Sequence, residues 1–201
     1  MEVWDALFAA GKPLGLGVAG LHAVDVTRIE AGLVIPGSDY TPAAIDPGGD
    51  HIPTSAENQT TPLELNMHRF IDFGKKHDFV GRRPLEYEAE HGSKRKMIGI
   101  EVDWRAIVAA SGAADLPPEV TPQVIRFPLP VVHDGTVIGR TTSVTWSPTL
   151  NKLIGFAHVQ TSMARTDTAV VVDWDAGPIR TDVAATLVDL PHFKWRRAKD
   201  A

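Results

Sequence analysis

Between Arg95 and Val188 the chain alternates short runs rich in β-branched and aromatic residues with turn signals, and this constrains its fold most. The stretch "PLPVVHDGTVIGRTTSVTW" holds two such runs around Asp134-Gly135, the strongest short-range hairpin signal a sequence offers. "RKMIGIEVDW" precedes it and "KLIGFAHVQT" follows, both reading as strands. "TAVVVDWDAGPIRTDVAATLVDL" reads as a second hairpin, turning at Asp175-Ala176-Gly177-Pro178. Several short strands with little helix among them predict a small antiparallel β-barrel. One Ala/Pro-rich insertion, "RAIVAASGAADLPPEVTPQ", interrupts the series and has the composition to begin as a helix.

The pattern before residue 92 is different. Val3, Trp4, Leu7 and Phe8 share one face at helical spacing, and Gly11 is a stop signal, so a helix is expected over 2–10. Its ready-made apolar face resembles the continuation of something upstream. Leu63, Leu65 and Met67 alternate in "LELNMHRFIDF", which predicts a strand. "FVGRRPLEYEAEHG" predicts a turn and then a short helix, with Pro84 in its first turn and Gly92 at its end. Between these elements, Pro36–Pro62 is a long Pro/Gly/Asp/Ser/Thr-rich loop. The expected architecture is α+β, with a mixed unit over residues 1–93 and the barrel over 94–201.

Composition narrows the function. The 201 residues carry a net charge of −5, which argues against a nucleic-acid binder. No cysteine is present, so disulfides, thiolate metal sites and cysteine nucleophiles are excluded, in keeping with a reducing compartment. "MEVWDALFAAG" has no basic leader, and no apolar run approaches the roughly 18 residues of a membrane helix. A cytoplasmic protein that engages neither nucleic acid nor membrane is expected. The eight histidines show no metal-ligand spacing, so no metal site is expected. Gly15, Gly17 and Gly20 match G-x-G-x-x-G, but a predicted helix precedes them where a dinucleotide site needs a strand.

Two clusters of charge are candidates for ligand work. "HAVDVTRIEAGL" sets Arg28 and Glu30 in a mostly apolar run, where charges are costly unless paired or used. They either brace the core or hold a ligand. The tail "FKWRRAKDA" places Arg196 and Arg197 beside Trp195, either as a solvated end or as an anion contact. Trp104, Trp146 and Trp174 read as barrel core or rim. Thr142, Ser143, Ser147 and Pro148 read as shaping a turn between strands, their hydroxyls capping backbone groups.

The order of "VWDALFAAG", "RIEAGL", "TTPLELNM", "DFVGRRPL", "RKMIGIEV", "GRTTSVTWSPTLNKLIGFAHV" and "LVDLPHF" resembles the C-terminal half of the glycine-cleavage T-protein (aminomethyltransferase) family. The resemblance implies the end of a folate-binding core over 1–93, then the family's C-terminal barrel. It implies tetrahydrofolate as cofactor and transfer of an aminomethyl or methyl group from a small-molecule donor, or demethylation as in wider relatives. Arg28 and Glu30 would line or brace the folate pocket, with Trp195 and Arg197 closing it. The family's catalytic aspartate falls in the N-terminal half, so no catalytic residue is assigned here and an N-terminal half or another subunit is the implied partner. The family's G-L-x-A-R-D run reads "GLHAVD" here, putting Val24 where a ligand-binding arginine is normal. The Pro36–Pro62 loop also exceeds the family's usual length, which implies a changed substrate or partner. Two other readings stand beside this one: a non-catalytic barrel module used for assembly, and a subunit associated with an amine-oxidising flavoprotein.

Overall fold

A computed structural model of the chain describes residues 2–40, 60–118 and 123–194. Six strands form a closed antiparallel barrel: β1 (Arg95–Val102), β2 (Pro130–His133), β3 (Thr136–Ser147), β4 (Lys152–Gln160), β5 (Ala169–Trp174) and β6 (Thr181–Val188). Around the barrel they run β1-β4-β3-β2-β5-β6, and β6 pairs back onto β1. Closure leaves no sheet edge unpaired, which is how a small all-antiparallel sheet avoids edge-to-edge association. The predicted hairpin is present: His133 pairs with Thr136 across Asp134 (φ 48°) and Gly135 (φ 74°). Two consecutive left-handed residues give the turn whose twist matches the flanking strands. β5 and β6 form the second hairpin, in register from Ala169↔Thr186 to Trp174↔Thr181.

Side chains alternate across each strand. Ile98, Ile100 and Val102 of β1 point inward with Leu153, Ala157 and Val159 of β4, Val172 of β5 and Val183 and Leu187 of β6. Helix α4 (Trp104–Ala113) packs Ile107 on this core. It starts where Asp103 accepts a hydrogen bond from the Arg105 N–H at 2.9 Å, so the Ala/Pro-rich insertion does begin as a helix. The opposite face of β4 is buried too. Ile154 and Phe156 pack outward with Met97, Leu65 and Ile29 in a second apolar layer. This accounts for the unbroken buried run from Leu153 to Val159. Gly139 of β3 pairs with Val159 of β4. A Cβ there would sit 2.0 Å from the His158 carbonyl oxygen.

Outside the barrel lie helices α1 (Glu2–Gly11), α2 (Leu21–Glu30) and α3 (Arg82–His91) with the turns between them, of which α2 contacts β3 and β4. α1 and α3 match the sequence expectations, α3 entering from Gly81 (φ 87°) and ending at Gly92. α2 has no counterpart among those expectations, because its amphipathic character is weak. Its burial is confined to the last turn, at Arg28, Ile29 and Glu30. The expected strand at Leu63–Met67 is instead a series of turns followed by a 3-10 turn at His68–Phe70. There the adjacent residues Glu64 and Leu65 are both buried, and Asn66 takes φ 60°. A strand would send neighbouring side chains to opposite faces.

Candidate functional site

The C-terminal turn of α2 presses onto the outer face of β3 and brings Arg28 against a turn at Pro36–Tyr40. Arg28 is buried, and three of its nitrogens have partners in the chain. Nη1 donates to Asp39 Oδ2 at 2.5 Å, Nε to Asp25 Oδ1 at 3.0 Å and Nη2 to Ser143 Oγ at 2.9 Å. Its guanidinium also lies 5.6 Å from the centre of the Phe156 ring. The Arg126 guanidinium donates to the other oxygen of Asp25, giving an alternating series Arg126–Asp25–Arg28–Asp39.

Asp39 is the hub of this arrangement. Its Oδ1 accepts from Thr142 Oγ1 at 2.8 Å and from Ser143 Oγ at 2.6 Å, and its Oδ2 also accepts from the Ile35 N–H at 2.9 Å. A local irregularity in β3 makes this possible. Thr141 pairs with Ala157 and Ser143 with Phe156, so Thr142 is an extra residue on that strand. A bulge of this kind re-aims neighbouring side chains, and here two consecutive hydroxyls reach one carboxylate. Thr142 and Ser143 therefore do not shape a turn, as their sequence suggested. They lie within β3 and hold Asp39.

Glu30 is anchored one turn further on. Ser147 Oγ donates to Glu30 Oε1 at 2.5 Å and itself accepts from the Leu150 N–H at 3.0 Å. Ser147 thus does shape the β3–β4 turn while tying that turn to α2. The Glu30 carbonyl accepts from the Phe193 N–H at 2.8 Å, which fixes the end of the described chain beside α2. Trp195 and Arg197 lie outside the described residues, as do residues 41–59 of the long loop. Of the four residues singled out in the sequence, the structure brings Arg28 and Glu30 to one helix end with their charged groups turned inward. Val24 is on the outer side of the same helix, 53% exposed.

His158 lies beneath this network on the outer face of β4, paired across the strands with Arg140. It is buried, and neither ring nitrogen has a hydrogen-bond partner among the described residues. Burial pushes its pKa down to about 4, the positive charges of Arg95 and Arg140 add to this, and Asp39 opposes it. A cleft of about 240 Å³ opens beside the network, lined by Ser38, Asp39, Tyr40, Arg126, Arg140 and Thr142 among others. Sequence reading missed Asp25, Asp39, Arg126 and His158. Asp39 stands in a Gly/Ser loop with no periodicity, and its hydroxyl partners are more than 100 residues away in sequence. Among the described residues no group of three His, Asp or Glu converges as a metal site requires.

Residues 117–194 match the family model of the glycine cleavage T-protein C-terminal barrel domain. The aminomethyltransferase of Prochlorococcus marinus (strain NATL1A) is 31% identical over 173 residues, covering 86% of this chain and 36% of the relative. That of Bacillus pumilus (strain SAFR-032) is 30% identical over 199 residues, covering 99% of this chain and 44% of the relative. A crystal structure of the glycine cleavage system aminomethyltransferase T from Bartonella henselae superposes with a TM-score of 0.62 at 21% identity. It covers 87% of this chain and 39% of that one, and shows the likeness of fold. Fold and site together define a T-protein-type C-terminal barrel with a helical buttress locked onto it. Residues 117–194 carry the glycine cleavage T-protein C-terminal barrel domain, and the chain is similar to the C-terminal part of the aminomethyltransferases. It spans 36–44% of the length of the two curated relatives named here.

Proposed function

We propose that this chain is the C-terminal part of a tetrahydrofolate-dependent one-carbon transferase, moving an aminomethyl or methyl group, and that it works with an N-terminal part. The observation that carries this reading is the buried Arg28–Asp39–Ser143 lock. It fixes the "RIEAGL" segment to the barrel in a chain alignable with aminomethyltransferases over 86–99% of its length. A wall fixed in this way is what positioning of a ligand requires.

The described residues around Arg28 and Glu30 do not by themselves enclose a folate. Arg28 and Glu30 are committed to Asp25, Asp39, Ser143 and Ser147. The 240 Å³ cleft is smaller than the roughly 300–1,000 Å³ of sites that surround a drug-sized ligand. Arg28 and Glu30 therefore brace the site, and no chemical step is assigned to them. Arg126 and Arg140 line the cleft, with Arg126 also donating to Asp25. Tetrahydrofolate, when bound, supplies the amine that accepts the one-carbon unit. A small-molecule donor completes the reaction, and a folate-dependent demethylase is the nearest variant. The absence of cysteine accords with a cytoplasmic setting.

The test is calorimetric titration of tetrahydrofolate into the chain alone and into the chain joined to an aminomethyltransferase N-terminal part. Binding in the second arm is expected; no heat in either arm removes the transferase reading. A second reading, a non-catalytic barrel module, is favoured by the inward commitment of Arg28 and Glu30, and it requires no folate binding in both arms.

A further inference from the structure

A second cleft, of about 790 Å³, opens where β1 runs into α4, and it shares no lining residue with the cleft beside Asp39. Its volume falls within the roughly 300–1,000 Å³ of sites that take a small molecule. Small side chains make the space. Thr186 of β6 pairs with Ala169 of β5 on one side and with Glu101 of β1 on the other, and Ala184 follows on the same face of β6. Ala169 and Ala184 are both exposed, so this stretch of the barrel wall is left uncovered. Trp104, from the first turn of α4, and Trp146, from the end of β3, stand at its side. Their ring centres are 5.7 Å apart and their planes tilted by 59°, and both are half-buried against the barrel core.

The charges around this space balance. Glu101 and Asp103 supply two carboxylates, and Arg105 and Lys152 two cations. Lys152 Nζ donates to both Glu101 oxygens, at 2.9 and 2.7 Å, with both side chains partly exposed. An exposed pair of this kind is weak and exchanges partners at little cost. Asp103 is committed at one oxygen: Oδ1 accepts from the Arg105 N–H at 2.9 Å. The Asp103 N–H donates to the Ala184 carbonyl at 2.8 Å, which pins the turn to β6 and fixes Trp104 and Arg105 at the edge of the cleft. The Arg105 side chain is exposed and makes no ion pair among the described residues. It stands in the first turn of α4, where the helix dipole favours an anion over a cation.

We infer that this cleft binds a free aromatic α-amino acid as its zwitterion. The carboxylate takes the Arg105 guanidinium, whose fork suits it, and offsets a cation placed against the helix dipole. The ammonium takes Glu101 and the uncommitted oxygen of Asp103. The ring lies over the alanine floor beside Trp104 and Trp146, where an aromatic pair adds to apolar burial. The balance of charge selects a ligand that carries both signs. A polyanion would meet Glu101 and Asp103, and a simple cation would meet Arg105 and Lys152. Nothing in this assignment depends on tetrahydrofolate or on an N-terminal part.

The test is calorimetric titration of L-phenylalanine into the chain, with intrinsic tryptophan fluorescence as a second readout. Saturable binding with a Kd of about 1 mM or tighter is expected. Arg105→Gln should weaken it by roughly ten-fold or more, the loss of one charged hydrogen bond. Ala184→Leu fills the floor from an exposed position and should abolish it. Val137→Ser, on the β2–β3 hairpin, should keep the parent affinity. All three are surface changes, and urea unfolding checks that each variant is folded. No saturable binding of L-phenylalanine overturns the proposal, as does the parent affinity in folded Arg105→Gln or folded Ala184→Leu. So does equal affinity for glycine, which lacks the ring, or for 2-phenylethylamine, which lacks the carboxylate.

Discussion

Arg28 and Asp39 form a buried ion pair, Nη1 to Oδ2 at 2.5 Å, across only eleven residues of sequence. Through it two elements of the outer layer, α2 and the Pro36–Tyr40 turn, become one piece with β3 of the barrel. Neither charge has solvent to fall back on, since both side chains are almost wholly covered. Their stability contribution comes from mutual satisfaction and from the hydroxyls of Thr142 and Ser143.

Asp39→Ala is therefore expected to destabilise the chain by about 3–5 kcal/mol, because it leaves Arg28 buried with an unmatched charge. Arg28→Met with Asp39→Ala together should cost less than the sum of the single changes. Urea unfolding of the four proteins in the cycle checks this, and strictly additive losses would contradict the coupling.

His158 gives the protein an acid-side sensitivity. Its folded pKa of about 4 lies below the ordinary value of about 6.5 that it regains on unfolding. Above pH 6.5 the group is neutral in both states and has no effect. Between pH 6.5 and 4 the unfolded chain takes up a proton that the folded chain refuses, so stability falls as pH falls. The loss by pH 4 is about 3 kcal/mol from this group. Thermal unfolding of His158→Met across the same range should show a correspondingly shallower decline.

Gly139→Ala places a methyl group against the His158 carbonyl, where the space is 2.0 Å. The strands must separate locally, at a cost of about 1–3 kcal/mol or more. Amide exchange should accelerate first at the β3–β4 pairs Gly139↔Val159 and Arg140↔His158.

Val24→Arg restores a charge that the family resemblance leads one to expect on α2. One charged hydrogen bond contributes about 1.5–3 kcal/mol, so tetrahydrofolate affinity of the chain joined to an aminomethyltransferase N-terminal part should rise ten-fold or more. Val24 is half exposed, so the change should leave unfolding midpoints within about 0.5 kcal/mol of the parent. Unchanged folate affinity would mean that this position does not face the ligand.

The barrel was legible because its signals are local. Runs of β-branched residues, the Asp134-Gly135 turn and the glycine-marked second hairpin all act over a few residues. α2 was not legible, since its glycine-rich approach and exposed first two turns leave no amphipathic stripe to find. Leu63–Met67 alternated like a strand, yet the alternation is incidental to a series of turns that buries two neighbours together. Arg28 and Glu30 stood out as charges in an apolar run, and their inward pairing explains why they are tolerated. Their partners were illegible for a geometric reason. Asp39 acquires its role from a bulge 103 residues later, and nothing near Asp39 in the sequence announces that.

The extra residue at Thr142 stands outside the count that sets the β3–β4 register. Without it, Thr141↔Ala157 and Ser143↔Phe156 become neighbouring pairs of a regular ladder, and every later pair keeps its partner. What such a deletion removes is the Thr142 hydroxyl at Asp39 and the bend that sets Ser143 beside it. One surplus residue thus carries the grip on the outer layer separately from the pairing that closes the cylinder.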